Sequence, residues 1–419
     1  MATLSKIPEW VSIEHRVAQI LTDQENHGWY FNEFEGQRLE STLRCELDDL
    51  TNVLRRQHPF VAGSTFTPKR NNKTQGYYEG CESIRLKEFN PTSRDHIAWV
   101  MSTFHDWKPT EFTSSGKATI DEVVLKDIGT PIALQFFRCL ELTKQLGMLS
   151  EGKNAWLKLV RANRIHHHCS VATATHRCAH RNPNLAQVPS EEAFRQLFKA
   201  TPGFTMVGAD LSGIELRMLA HYLSRYDQGR YADILLNDDI HQVNADKIGI
   251  SRRLVKTVTY AFLYGAGDVK IGHSYDKQLS DAQARKKGAE IRAAYIDAID
   301  GLGDLLTAVR RASDRGYIKS IDGRKISLDS PHKGLNYLLQ SSATVVAKRW
   351  MVIANDCMPA DLQAHQLAFV HDELQFETKQ PEQLKTHLEL TAGLAGEAYD
   401  LRIPIAAEGK IGDNWAEVH

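Results

Sequence analysis

The sequence predicts an α+β fold, and two observations carry that prediction. Short apolar runs at 204–209 and 367–370 each lead into an aspartate, Asp210 and Asp372, and a further run at 374–376 follows His371-Asp372-Glu373. Between them lie long stretches of helical periodicity, at 252–264 and 280–299. No internal repeat or low-complexity linker divides the chain, so lobes interleaved in sequence are expected.

Residues 12–58 read as helical: Val17, Ile20 and Leu21 recur at helical spacing, Gly28 interrupts, and Leu39, Leu43, Leu47 and Leu50 resume. From 60 to 89 the periodicity fails, and Thr67-Pro68-Lys69-Arg70-Asn71-Asn72-Lys73 reads as an exposed basic loop. Asn90-Pro91-Thr92-Ser93 opens a helix that Ser93 or Thr92 would cap. Helical character covers 132–149, and a β-like passage covers 165–175. The strand at 204–209 is followed by a helix at 214–222, with Ser212-Gly213 permitting the turn. Ser280-Asp281-Ala282-Gln283 is a capping box. Helices are expected at 343–351 and 381–401, and the runs at 367–370 and 374–376 read as strands around a tight turn.

A chain of 419 residues is too long for one ordinary core and predicts two or three lobes. With 42% hydrophobic and 25% charged residues it has the composition of a soluble globular protein, and no apolar run approaches a membrane span. Met1-Ala2-Thr3-Leu4-Ser5-Lys6 lacks the apolar core of a signal peptide, which predicts a cytosolic address. Six cysteines without a C-x-x-C pair predict reduced thiols. A net charge of −1 gives no global sign of nucleic acid, yet counterion release needs only cations aligned along one groove.

Asp210 and Asp372 sit at a strand end and a hairpin tip, positions that hold side chains rigidly at the rim of a sheet. Two carboxylates so placed suit a pair of Mg²⁺ ions, hard cations that take oxygen ligands and keep water. Glu373 reads as a supporting charge. Arg252, Lys256, Tyr260 and Tyr264 recur every four residues and form one helical stripe. The cations fall in the first turns, where free N–H groups and the macrodipole also favour anions. Gly265-Ala266-Gly267 ends that helix, and His241 could reach the same phosphates. Carboxylates for metal, cations for phosphate and a ring for sugar or base together imply nucleotidyl transfer. Each feature alone has a plainer reading as a cap, a turn or a solvated face; the combination does not.

With these motifs in hand, the chain resembles the family A, DNA polymerase I-like polymerases, most of all those of short-tailed phages. Asp210-x-x-x-x-Glu215-x-Arg217 resembles that family's motif A, Arg252-x-x-x-Lys256 to Tyr264-Gly265 its motif B, and Val370-His371-Asp372-Glu373 its motif C. Asn184-Leu185-Ala186-Gln187-Val188-Pro189, Asn336-x-x-x-Gln340 and the ending Gly412-Asp413-Asn414-Trp415 to His419 match as well. The resemblance implies a right-hand fold: thumb at 1–160 with a short basic loop at 60–89, palm at 161–222 and 336–419, and fingers at 223–335. It implies a DNA-directed DNA polymerase with two Mg²⁺ on Asp210 and Asp372 assisted by the Leu211 carbonyl. Arg252, Lys256 and His241 would grip a dNTP, Glu215 would exclude a ribose 2′-hydroxyl, and Tyr260 would lie under the sugar. Tyr264 and Gly265 would place the template base. Arg177, Asn336 and Gln340 would read the minor groove, and His371 would approach the primer end.

Departures from the family pattern carry further expectations. The resemblance starts near Glu14, where the polymerase portion begins, so editing would be absent or carried by a separate exonuclease polypeptide. The 60–89 stretch is too short for a thioredoxin-binding insertion, which leaves Lys69, Arg70 and Lys73 to touch DNA phosphates. A monomer bound to primer-template DNA, with no membrane partner, is expected. The family's Thr-Gly-Arg reads Thr175-His176-Arg177, beside His166-His167-His168-Cys169 and Cys178-Ala179-His180. Neighbouring strand residues face opposite ways and no finger spacing appears, which argues against zinc there. The rivals are a single-subunit RNA polymerase, which Glu215 would obstruct, and a non-catalytic DNA-binding module, which would not need the full set of charges.

Overall fold

The computed structural model describes residues 7–171 and 173–419, so the expectation placed on Met1 to Lys6 lies outside the described residues. The chain forms two compact units: residues 32–160, and residues up to 31 together with 161–419.

In the smaller unit, a helix at Glu33–Gln57 starts on the Asn32 side chain, which accepts from the Glu35 N–H at 3.2 Å. A helix at Pro131–Leu146 packs against it, and Arg138 joins the pair by a two-pronged contact to Glu46 at 2.6 and 2.7 Å. Leu54, Val61, Phe89, Ile97, Val100 and Phe136 form the core. The basic loop expected over 60–89 is instead a hairpin: Phe60–Phe66 pairs antiparallel with Ser83–Glu88, and only 67–82 is a connecting tip. The alternation in Ser83–Glu88 rests on Ile84 and Leu86 alone, both exposed, and Phe60–Phe66 carries no regular alternation, so the pattern was too short to mark the strands. Ser93 does cap the next helix by position, although without a side-chain hydrogen bond.

In the larger unit, helix α1 (Glu9–His27) ends at Gly28, whose φ of +69° turns the chain into the strand Trp29–Phe31. A Cβ at Gly28 would lie 2.7 Å from His166 Nδ1, so a side chain is excluded there twice over. The helical stretch expected to begin the smaller lobe is therefore divided, with α1 belonging to the larger unit.

The sheet that organises this unit has four antiparallel strands: β1 (Thr205–Leu211), β2 (His365–Val370), β3 (Glu373–Thr378) and β4 (Ala407–Gly412), in the order β2-β3-β1-β4. Alternation along β1 sends Val207, Ala209 and Leu211 into the core with Phe369, Leu374 and Phe376. Asp210 therefore points from the other face. Helix α2 (Ile214–Leu223) follows directly, then α3 (Ile240–Ile248), α4 (Arg252–Leu263), α5 (Asp268–Tyr275) and α6 (Asp281–Ala298). The capping box expected at Ser280 and Gln283 is formed. Helices α7 (Gly334–Asp356) and α8 (Pro381–Glu397) back the sheet, and Trp350 Nε1 donates to the Leu388 carbonyl at 2.9 Å between them. Among the described residues no helix is long and apolar enough to cross a membrane.

Candidate active site

Residues 371 and 372 are the two-residue link between β2 and β3, and His371 takes a left-handed φ of +60° to close it. The register pairs Glu373 with Asp210 across β3 and β1, and the Leu211 N–H donates to the Asp372 carbonyl at 3.2 Å. A strand end and a hairpin tip from residues 162 positions apart in sequence therefore meet at one rim. The walls of the cleft and the nearby Glu373 push the Asp210 carboxyl up to about 6. Burial, Asp210 and Glu215 push Asp372 up to about 7. Two crowded carboxylates forced toward neutrality are an oxygen donor set that a hard divalent cation would relieve.

Glu373 is differently employed. Its Oε1 accepts from Trp415 Nε1 at 3.1 Å and from the Gln375 amide, and its Oε2 faces His419 Nδ1 at 2.8 Å. Gln375 reaches this position because residue 208 is glycine: a Cβ there would lie 2.6 Å from the Gln375 amide nitrogen. Buried and fully engaged, Glu373 braces the turn that carries Asp372. Arg195, Trp415 and His419 join Asp210, His371, Asp372 and Glu373 around a cleft of about 290 Å³.

On the other side, Gly213 takes a left-handed turn that starts α2 and sets Glu215 in its first turn. Glu215 Oε1 accepts from Arg177 Nη2 at 3.0 Å and from the Tyr264 hydroxyl at 3.2 Å. Tyr260, one turn before Tyr264, is raised by burial and by the charges of Glu215 and Asp372. Its ring centroid lies 6.1 Å from that of His241. Burial, with Arg252 and Lys256 nearby, lowers the His241 pKa. Arg252 donates to Asp239 Oδ2 at 2.6 Å, and Asp239 also caps α3. Lys256 is exposed on the same stripe. At the far end of α4, Gly265 has a φ of +72°, and Asn336 Nδ2 donates to the Leu263 carbonyl at 2.8 Å. Gln340 lies one turn further along α7 and is half-buried.

The residues expected to share a site are thus gathered in one unit, with three exceptions. Lys69, Arg70 and Lys73 belong to the smaller unit, at the exposed tip of its hairpin.

The DNA polymerase family A profile matches residues 66–417. The chain belongs to DNA polymerase family A. Among curated relatives, the DNA-directed DNA polymerases of Enterobacteria phage T3 and Escherichia phage T7 are each 30% identical to it, across 98% of this chain and 70% of each relative. The POL domain of Pol1 from M. smegmatis, solved in complex with DNA primer-template and dNTP, has a TM-score of 0.76. That likeness covers 97% of this chain and 70% of the other at 23% identity, and it shows the right-hand polymerase fold.

Two features of this family A site were not assigned from sequence. Arg195 stacks its guanidinium 5.3 Å above the Trp415 ring, and burial lowers its pKa. His419 holds Glu373. A lone arginine in a short helix carries no periodicity or spacing that would single it out, and His419, though within the matched ending, was given no role there.

Proposed function

We propose that the chain is a template-directed DNA polymerase that adds dNTPs to a primer 3′ end. One arrangement carries the reading. Tyr260 senses Glu215 and Asp372 on one side and lies beside His241 on the other, linking the carboxylate rim to the cationic end of α4. A nucleotide laid along α4 would have its triphosphate by Arg252, Lys256 and His241 and its sugar by Tyr260, with its α-phosphate toward Asp210 and Asp372.

Asp210 and Asp372, with the Leu211 carbonyl, would hold two Mg²⁺. Bound there, the ions supply charge that favours the ionised 3′-hydroxyl and the departing pyrophosphate. The protein's own residues supply position. Arg252 must exchange Asp239 for phosphate, and Lys256 and the free N–H groups of α4 add positive potential. Glu215, fixed by Arg177 and Tyr264, would stand where a ribose 2′-hydroxyl must go. Arg177, Asn336 and Gln340 would follow the minor groove, His371 the primer end, and Tyr264 with Gly265 the template base. Residues 32–160 would serve as thumb, with Lys69, Arg70 and Lys73 on DNA phosphates, 161–222 and 336–419 as palm, and 223–335 as fingers.

Primer extension with Mg²⁺, comparing dNTPs with rNTPs, tests this reading. Asp210→Asn and Asp372→Asn proteins that fold but extend primers at the wild-type rate would sink it. A 3′-mismatched primer in the same assay reads whether the polypeptide edits.

A further inference from the structure

Near the segment that carries Arg177 lies a cluster to which the proposed polymerase reading gives no role. The strands His168–Ser170 and Ala179–Arg181 pair antiparallel with Cys169 opposite His180. His167 stands two residues before Cys169, hence on the same side of the extended chain. One ligand atom from each of His167, Cys169 and His180 lies within 4.8 Å of the others, and all three residues are buried. Neighbouring histidines do face different partners, His166 and His168 meeting Glu25 and His167 meeting Gln24. The relevant pair is separated by two positions, and the third member comes from across the hairpin.

Hydrogen bonding alone leaves this cluster unsatisfied. Cys169 Sγ lies 3.3 Å from His180 Nδ1, and His167 Nε2 lies 3.1 Å from the Gln24 amide nitrogen. His167 Nδ1 has no partner among the described residues, although His167 is fully buried. An orphaned ring nitrogen inside a core is costly unless something else completes it. The sulfur–nitrogen separation is also close to what tetrahedral zinc requires, since Zn–S near 2.3 Å and Zn–N near 2.0–2.1 Å place the two ligands roughly 3.5 Å apart. Gln24 is held from behind, its Oε1 accepting from Gln366 at 2.8 Å, and Gln366 in turn accepts from Asn355.

We propose that His167, Cys169 and His180 bind a structural zinc ion. Binding releases the Cys169 thiol proton to solvent and leaves a thiolate and two neutral imidazoles as ligands, with water completing the fourth position. The ion would cross-link the two short strands whose connecting loop carries Arg177. Its role is therefore to stiffen the support of the Arg177–Glu215 contact, at a distance from the carboxylates.

The test uses the full chain stripped with a chelator and reloaded with Zn²⁺ alone. One zinc per chain after gel filtration is expected, retained when Asp210→Asn and Asp372→Asn remove the carboxylate site. Co²⁺ in its place should give the intense visible bands of a tetrahedral ion and a thiolate-to-cobalt absorption. Cys169→Ser should abolish that absorption, and the exposed Cys357→Ser should keep it. Should Cys169→Ser fail to fold, zinc-edge X-ray absorption on the wild-type protein decides instead. A shell containing sulfur and imidazole supports the site. Wild-type protein without stoichiometric zinc, a shell of oxygen only, or cobalt spectra unchanged in Cys169→Ser would overturn it.

Discussion

The Tyr264 hydroxyl donates to Glu215 Oε1 at 3.2 Å, tying the end of α4 to the first turn of α2. Arg177 shares that oxygen, so Glu215 is held by a cation from one side and a phenol from the other. If Glu215 is the barrier to a ribose, its fixed position matters as much as its identity. Glu215→Ala should therefore raise the ratio of rNTP to dNTP incorporation by about tenfold or more, the equivalent of about 1.4 kcal/mol. Tyr264→Phe should raise it less, because Arg177 still holds the carboxylate. Steady-state kcat/KM for matched rNTP and dNTP pairs measures both, and an unchanged ratio in Glu215→Ala removes Glu215 from the gate.

Tyr260 supplies a hydroxyl where an incoming sugar would lie. A tyrosine at this place can fill the role of a missing 3′-hydroxyl, so dideoxynucleotides should be accepted readily. Tyr260→Phe removes that hydroxyl, and loss of a hydrogen bond to a charged group is worth roughly 1.5–3 kcal/mol. Dideoxy incorporation should then fall about tenfold to a hundredfold relative to deoxy incorporation. Competition between the two nucleotides on one template reads the ratio, and equal suppression of both would count against this role.

The two carboxylates at the β2–β3 turn should separate by function. Asp372 faces the cleft among like charges, whereas both oxygens of Glu373 are occupied by Trp415, Gln375 and His419. Asp372→Asn should cut single-turnover extension by about a thousandfold or more. Glu373→Gln keeps the shape and part of the hydrogen bonding, and should cost only about tenfold. Removing His419 should resemble Glu373→Gln. A Mg²⁺ titration distinguishes the cases: the required concentration should rise strongly only when Asp372 or Asp210 is changed.

How much of this was legible beforehand depended on whether a residue's role is local. Asp210, Glu215 and the α4 stripe were readable because an apolar run followed by Ser212-Gly213, or a four-residue repeat, has a direct backbone meaning. The pairing of Asp210 with Glu373 follows from strand register, but only after the strand order β2-β3-β1-β4 is known, and no local pattern gives that order. The hairpin of Phe60–Phe66 with Ser83–Glu88 was missed because its only alternation, Ile84 and Leu86, is short and exposed. The proximity of His167, Cys169 and His180 was not legible from spacing, since the third member arrives through a cross-strand pair.

Helix α1 and α7 are joined by a buried ion pair that periodicity could not foresee. Lys348 is 1% exposed, and its Nζ donates to both oxygens of Glu14, at 2.9 and 2.8 Å, while Arg324 reaches the same carboxylate at 2.7 Å. Burial works against the charged form of Glu14, but Lys348 and Arg324 outweigh it and hold the pKa below the usual carboxylate range. Glu14→Ala strands a buried ammonium, and should destabilise the larger unit by about 3–5 kcal/mol. Glu14→Leu combined with Lys348→Met should recover much of that loss, because desolvation of both charges disappears. Urea unfolding of the wild type, Glu14→Leu, Lys348→Met and the double variant closes a double-mutant cycle that measures the coupling.

Acid should loosen the same unit through His221. Its Nδ1 accepts from the Arg402 N–H at 3.2 Å, and burial, Arg402 and Arg225 push its pKa down to about 4. The unfolded chain holds this imidazole near its ordinary value of about 6.5. Between those values the unfolded state binds a proton that the folded state refuses, so unfolding is favoured as pH falls. The His221 contribution should thus be complete above about pH 6.5, decline steadily below it and level off near pH 4, on the order of 3 kcal/mol in total. His221→Asn keeps an acceptor for the Arg402 N–H without a titrating ring. Its urea midpoint should be less pH-dependent than that of the wild type across this window, and parallel profiles would show that His221 does not carry the acid sensitivity.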